Sequence, residues 1–189
     1  MEEQRRPQQL SERRKFLAYP VTALSGVLVL SERGWADVGG AENAAKRSKV
    51  IVACTKNWPE NKGDCSGFVK AVARDLGFTL TGQANAIYDQ IGKPPWVRIG
   101  IGAKASIVAG VSAGEGRLVI AAKKDQPNGH VAVVVDYRNA FDSYQSVDRE
   151  KAVAFWGQLN SAGSEYTRIT KSWSSADLAN VLYAYVPIP

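Results

Sequence analysis

The sequence has few of the residues on which several common classes of protein depend. Its 189 residues include two cysteines and one histidine. Two cysteines cannot form a disulfide framework, and with a single histidine they offer no cluster of metal-ligand spacing. The chain also shows no glycine-rich phosphate loop, no internal repeat and no apolar run long enough for a stable membrane span. We therefore expect a protein without a metal or another cofactor.

Composition predicts one compact domain. With 45% hydrophobic residues, a chain of this length can bury a sizeable core. The formal net charge is +6 and the pI is about 9.4, but the basic residues are scattered and no nucleic-acid-binding motif accompanies them. We therefore expect no nucleic-acid partner. The charge instead favours attraction to an anionic polymer.

The first 45 residues differ in composition from the rest, which predicts an N-terminal extension at 1–45 and a separate domain at 46–189. Residues 11–17, SERRKFL, resemble the start of a twin-arginine export signal, and residues 16–30 form an uncharged, mostly apolar run of signal-peptide length. On this interpretation residues 1–36 include a leader. Two alternatives remain open: an extra helix that packs on the domain, and an upstream extension that the mature protein lacks.

One of the two cysteines occurs in a context that suits a nucleophile. Cys65 follows Asp64, a good N-cap residue, and Gly77 provides a C-cap further on. This pattern predicts an amphipathic helix with Cys65 in its first turn, where unpaired backbone N–H groups stabilise a thiolate. Between the two caps, apolar residues recur at helical spacing at Phe68, Val69, Val72 and Leu76.

The histidine occurs at the start of a predicted strand. Two apolar segments, residues 118–122 and 131–135, flank the turn sequence QPNG at 126–129, which predicts a β-hairpin. His130 is then the first residue of the returning strand, at an end of the sheet. Taken alone, Cys65 and His130 would each more often be structural residues. Their conjunction favours a thiol nucleophile with an imidazole that transfers protons.

These motifs resemble those of a known family. The segments DCSGFV at 64–69 and GHVAVV at 129–134 resemble the NlpC-type cell-wall cysteine peptidases, a papain-like superfamily. They are more similar still to the first family of type VI secretion amidase effectors. The likeness extends from about residue 49 to residue 185 and includes ACTKNW at 53–58 and GQANA at 82–86.

The resemblance implies an α+β fold in which the nucleophile helix packs on an antiparallel sheet of four to six strands. It also implies that Cys65 is the nucleophile and His130 the general base of an amidase that cuts peptidoglycan stem peptides between D-glutamate and meso-diaminopimelate. Such an effector acts in the bacterial periplasm, and the producing cell carries an immunity protein that blocks the cleft. Near the C-terminus, SSAD at 174–177 predicts a short helix before a last strand at 181–186.

Further residues are candidates around the predicted dyad. In this superfamily a polar side chain on the strand after the histidine usually orients the imidazole, which points to Gln158 at the end of the segment 152–158. Asp136, on the histidine's own strand, is the alternative. Substrate contacts are expected from Asp64 and Ser66 beside the nucleophile, from Asn85 after its helix and from Trp96 in the segment 92–116.

Two other functions remain open at this point. A papain-like thiol acyltransferase or deamidase that acts on protein would use the same dyad and would differ only in its substrate. A non-catalytic module that binds the cell wall would keep the fold, but it has no need of both Cys65 and His130.

Overall fold

A computed structural model describes the backbone of residues 33–139 and 150–189 and the side chains of residues 40–136 and 152–189. Within these ranges one antiparallel sheet lies between two layers of helices, so the α+β prediction is confirmed. The helices are α1 (Arg33–Asn61), α2 (Cys65–Asp75), α3 (Ala84–Ile91), α4 (Ala103–Gly114) and α5 (Ser175–Leu178), with a 3₁₀ turn at Ile169–Lys171. The strands are β1 (Val97–Ile101), β2 (Arg117–Lys123), β3 (His130–Asn139), β4 (Glu150–Gln158), β5 (Ser161–Arg168) and β6 (Leu182–Pro187).

The strand order places the histidine at an end of the sheet. The described strands follow the order β1-β6-β2-β3-β4-β5, and every neighbouring pair is antiparallel. Strands β2 and β3 form the predicted hairpin, in which Lys123 pairs with His130 where β3 begins. Because β3 lies between β2 and β4, its first residue is flanked by a strand on each side.

Each face of the sheet carries its own core. Alternate residues of a strand point to opposite faces, and Val131 and Val133 of β3 pack with α1, α2 and α3, whereas Ala132 and Val134 pack with α4. Helix α2 is anchored in the first core by Phe68, which is fully buried. Burial of such a side chain stabilises the fold by about 1.5–3 kcal/mol. The helix that carries Cys65 is therefore fixed to the sheet by its apolar face.

The bounds of α2 and its C-terminal cap agree with the sequence pattern. The helix begins at Cys65, and its last residue is Asp75. The next residues form a Schellman motif, in which the Phe78 N–H donates to the Ala73 carbonyl at 2.8 Å. Gly77 supplies the left-handed conformation that this motif needs, with φ of 88°. The predicted helix is thereby confirmed at both ends.

The C-terminal elements also agree with the prediction, but one strand is not evident from the sequence. The Ser174 hydroxyl accepts a hydrogen bond from the Asp177 N–H at 3.1 Å and caps α5, after which β6 begins. Strand β1 is an edge strand that pairs only with β6 among the described strands. Its five residues are mostly exposed, and a register shift occurs between Arg98 and Gly100. Such a short, interrupted edge strand has no alternating apolar signal.

Residues 1–32 lie outside the described part of the chain, and with them most of the predicted export signal. Helix α1 begins at Arg33 and is continuous across the domain boundary predicted between residues 45 and 46, which remains a prediction. None of the helices at 33–139 and 150–189 combines the length and the apolar content that a membrane crossing requires.

The end of β4 makes a close backbone contact with the loop that precedes Cys65. A Cβ atom at Gly157 would lie 2.3 Å from the Asn61 carbonyl oxygen and 2.6 Å from that of Asp64. The next residue joins the same loop, because the Gln158 N–H donates to the Lys62 carbonyl at 2.9 Å. Only glycine allows this approach without moving the backbone before α2.

We expect Gly157→Ala to destabilise the protein by about 2–3 kcal/mol, since the new methyl group overlaps backbone atoms that cannot rotate away. Urea denaturation measures the loss. Gly114→Ala is the matched control, because nothing lies within 4 Å of a Cβ atom at this helical glycine. We expect the control to be neutral or slightly stabilising. Equal unfolding free energies for the two variants would contradict the close contact.

Candidate active site

A cleft of about 600 Å³ lies where α2, α3 and the beginning of β3 meet. This volume is in the range of about 300–1,000 Å³ that small-ligand sites occupy. Cys65 and His130 both line the cleft, so the structure brings the two halves of the predicted dyad together. It also brings in Asp64, Ser66, Asn85 and Gln158 from the sequence prediction, and it adds Gly63, Gln83, Ala84, Pro127, Asn128, Gly129, Leu159 and Ser172.

Cys65 is partly buried at the first position of α2. Its sulfur lies 3.8 Å from the hydroxyl oxygen of Ser66, which is almost fully buried. Asp64 occupies the N-cap position as predicted, but its side chain accepts no capping hydrogen bond. The carboxylate instead lies against Gly67, where a Cβ atom would be 2.7 Å from Oδ2. The first-turn N–H groups therefore have no side-chain cap and are available to an oxygen atom in the cleft.

His130 is partly buried, and its ring packs edge-on against Trp173 with 5.0 Å between the ring centroids. Burial lowers the pKa of His130 to about 4. The imidazole is therefore neutral at neutral pH and has a free lone pair with which to accept a proton.

The loop before the histidine is held by Asn85 at the start of α3. The Asn85 side-chain amide donates to the Asp125 carbonyl at 2.9 Å, and its oxygen accepts from the Asp125 N–H at 3.2 Å. The same oxygen lies 2.3 Å from where a Cβ atom of Gly129 would be. Asn85 was expected to contact substrate. It lines the cleft, and in this structure both of its polar atoms bind the backbone of the loop that precedes His130, so the substrate contact remains a prediction.

A charged network supports the other end of this loop. Lys123, which pairs with His130 in the sheet, donates to Asp125 at 2.7 Å and to Asp177 at 2.8 Å. These hydrogen bonds raise the pKa of Lys123 and lower the pKa of each carboxyl group. All three groups are therefore charged at neutral pH, and the ammonium compensates the two carboxylates near the imidazole.

Two residues predicted for the site lie elsewhere. Trp96 is 9% exposed and packs in the core with its ring centroid 6.2 Å from that of Phe78. Asp136 lies further along β3, roughly 20 Å from His130 at about 3.4 Å per residue. Its carboxylate pairs with Arg47 of α1 and accepts a hydrogen bond from the Tyr166 hydroxyl at 2.7 Å. At that distance it cannot touch the imidazole.

A thiol at a helix start and a neutral imidazole in one cleft are the groups that nucleophilic acyl transfer requires. Over 130 residues the chain is 34% identical to the peptidoglycan amidase Tse1 of Pseudomonas aeruginosa, and the match covers 63% of this chain and 81% of Tse1. The chain belongs to the Tse1 family. The family resemblance seen in the sequence is thereby confirmed, although no protein-family model matches the chain.

Ser172 and Trp173 are neighbours of the histidine that the sequence does not reveal. They belong to the connection between β5 and β6, which crosses the sheet on the α4 side. Together with His130 they line a second, smaller cavity of about 140 Å³. No local pattern marks these two residues, because their position depends on the strand order of the whole sheet.

The second cysteine has a different environment. Cys54 is fully buried in α1, and burial raises the pKa of its thiol. Both cysteines are free thiols. Within residues 40–136 and 152–189 no group of three histidine, cysteine or acidic side chains is arranged to hold a metal ion.

The lowered pKa of His130 predicts a loss of stability in acid. Between pH 6.5 and about pH 4 the unfolded chain binds the proton and the folded protein does not, so stability present above pH 6.5 is lost as the pH falls toward 4. Between pH 7 and pH 5 we expect the free energy of unfolding to fall by about 2 kcal/mol more for the wild type than for His130→Gln. Urea denaturation of both proteins at both pH values measures this difference. An equal fall in the free energy of unfolding for the wild type and His130→Gln would contradict the buried neutral imidazole.

Proposed function

We propose that the protein is a peptidoglycan amidase in which Cys65 is the nucleophile and His130 transfers the proton. The observation that carries the proposal is the shared cleft, which holds a thiol at the start of α2 and a neutral imidazole at the start of β3. The family relationship to an amidase named for peptidoglycan supports the substrate. An NlpC-type arrangement accounts for a nucleophile helix packed on an antiparallel sheet.

The chemistry follows from the protonation states of the two groups. Neutral His130 accepts the thiol proton of Cys65 as the sulfur attacks the amide carbonyl carbon. The carbonyl electrons move to oxygen, and the first-turn N–H groups of α2 bind the resulting oxyanion. Collapse breaks the C–N bond, the leaving amine takes the proton from His130, and a thioester remains. In the second half of the reaction, His130 accepts a proton from water as the water oxygen attacks the thioester carbonyl. The Cys65 thiolate leaves, the carboxylic acid is released, and the proton on His130 returns to Cys65.

The proposed bond is the one between D-glutamate and meso-diaminopimelate in the peptide stem, as the effector resemblance implies. The net charge of +6 favours approach to the anionic cell wall. We further propose that the protein is an antibacterial effector that acts in the periplasm. The producing cell then needs an immunity protein, which most simply inserts a loop into the cleft beside His130.

We expect Cys65→Ala to lower the hydrolysis of purified peptidoglycan by at least about 10³-fold, because Cys65 is the thiol that lines the cleft and the neighbouring Ser66 hydroxyl is a far weaker nucleophile at neutral pH. Mass spectrometry of the released muropeptides measures both the activity and the bond that is cut. Cys54→Ala is the matched control, since it removes the same group from the core and leaves the cleft intact. It should lose stability and keep turnover.

The product masses decide between the proposed bond and other stem bonds. Continued turnover by the Cys65→Ala variant would rule out the thiol mechanism. If peptidoglycan stays intact, the two alternative functions are tested on protein glutamine substrates. Release of ammonia would favour the deamidase, and acyl transfer would favour the acyltransferase.

A second prediction concerns the compartment in which the protein is toxic. The full chain fused to a heterologous export signal should lyse a Gram-negative host, whereas the same chain kept in the cytoplasm should be harmless, because the substrate lies only in the periplasm. Culture density after induction measures this, with the exported Cys65→Ala variant as the control. Toxicity confined to the cytoplasm would overturn the cell-wall assignment.

A further inference from the structure

The group that orients His130 is the missing part of the proposed mechanism. When one ring nitrogen accepts a proton from the thiol, the other carries a proton and needs an acceptor to fix the tautomer. Extension of the β3–β4 register from the Val133–Phe155 pair brings Gln158 opposite His130. Gln158 is exposed, however, so water competes for its side-chain amide.

Ser172 has a more favourable position beside the imidazole. It lines the cleft together with Cys65 and His130, and it also lines the smaller cavity together with His130 and Trp173. Ser172 therefore borders both cavities around the ring. Asn128 and Gly129, which belong to the histidine's own loop, do the same. The adjacent Trp173 contacts the imidazole edge-on at 5.0 Å between centroids, which holds this segment against the ring.

The hydroxyl oxygen of Ser172 is buried and has no hydrogen-bond partner within the described residues. A buried hydroxyl without a partner costs free energy, and the Ser172 oxygen therefore remains able to accept a hydrogen bond from the neighbouring imidazole. The nearby carboxylates do not fill the orienting role, because Asp125 and Asp177 are bound by Lys123. Burial is what shifts the pKa of His130, and no acidic group contributes to the shift.

We propose that Ser172 is the positioning residue for His130 in the Cys65–His130 mechanism proposed above. A hydrogen bond between the two side chains is not formed in this structure, where the Ser172 hydroxyl has no partner among the described residues; rotation of the serine side chain would let its oxygen accept from the ring N–H that faces away from Cys65. This bond selects one neutral tautomer, with the lone pair of the other nitrogen toward the thiol. The bond strengthens when His130 becomes an imidazolium, because hydrogen bonds to charged groups are stronger than neutral ones. A neutral hydroxyl thus does here what a carboxylate does in a catalytic triad.

The single histidine of the chain makes the test specific. ¹⁵N NMR of histidine-labelled protein at pH 7.5 reports on His130 alone and distinguishes its two neutral tautomers. We expect one tautomer in the wild type and a mixture of both in Ser172→Ala. On peptidoglycan fragments, Ser172→Ala should lower kcat by about 10- to 100-fold and change KM by less than about twofold. The acidic limb of its pH profile should shift to lower pH, because the imidazolium loses an acceptor.

Three variants complete the experiment. Ser172→Thr keeps the hydroxyl and should keep the single tautomer and most of kcat. Ser106→Ala removes an equally buried serine hydroxyl from α4 and should leave both readouts unchanged. Gln158→Ala should also retain the wild-type tautomer.

Two results would overturn the proposal: an unchanged tautomer in Ser172→Ala, or a tautomer mixture in Gln158→Ala while Ser172→Ala behaves as the wild type. The NMR measurement needs no substrate. It therefore tests the position of Ser172 even where the Cys65→Ala experiment disproves the thiol mechanism, so the two failures are distinguishable.

Discussion

The candidate site depends on the contact between the end of β4 and the loop that precedes α2. Gly157 lets the two backbones approach, and the Trp58 indole N–H of α1 donates to the Trp156 carbonyl at 3.0 Å beside it. Strand β4 also pairs directly with β3, which begins with the histidine. Strand β4 thereby contacts both the loop before Cys65 and the strand that begins with His130. These backbone contacts, together with the buried apolar face of α2, set where Cys65 and His130 stand relative to each other.

Burial of the imidazole connects stability with function. Burial lowers the pKa of His130 to about 4, so the ring is neutral at neutral pH, and Trp173 packs against it. The same burial costs stability in acid, where the unfolded chain binds a proton that the folded protein excludes. The carboxylates of Asp125 and Asp177 do not reverse this effect, because both are bound by Lys123. The hydrogen bonds of Lys123 therefore stabilise the loop before His130, and the imidazole stays neutral.

Elements with local signals are the ones that the sequence predicts well. Helix α2 has an N-cap residue, apolar periodicity and a C-terminal glycine, and the β2–β3 hairpin has an Asn-Gly turn between apolar segments. The features that sequence reasoning misses are set by distant partners. Asp136 is a reasonable orienting residue by strand alternation, but Arg47 of α1 binds it far from the cleft. Trp96 joins the core beside Phe78, and Ser172 reaches the histidine only because a connection crosses the sheet.

The walls of the cleft share one core, and this has a consequence for catalysis. Helix α2, which carries Cys65, and helix α3, whose Asn85 holds the histidine's loop, pack side by side on the same face of the sheet. Movement of either helix would disturb the buried side chains of both, such as Phe68 and Ile87, which are fully buried. The first-turn N–H groups of α2 are therefore fixed in direction before substrate arrives. In the proposed mechanism, an oxyanion bound by such donors requires no reorganisation of the protein during the reaction, which is the condition under which electrostatic stabilisation contributes most.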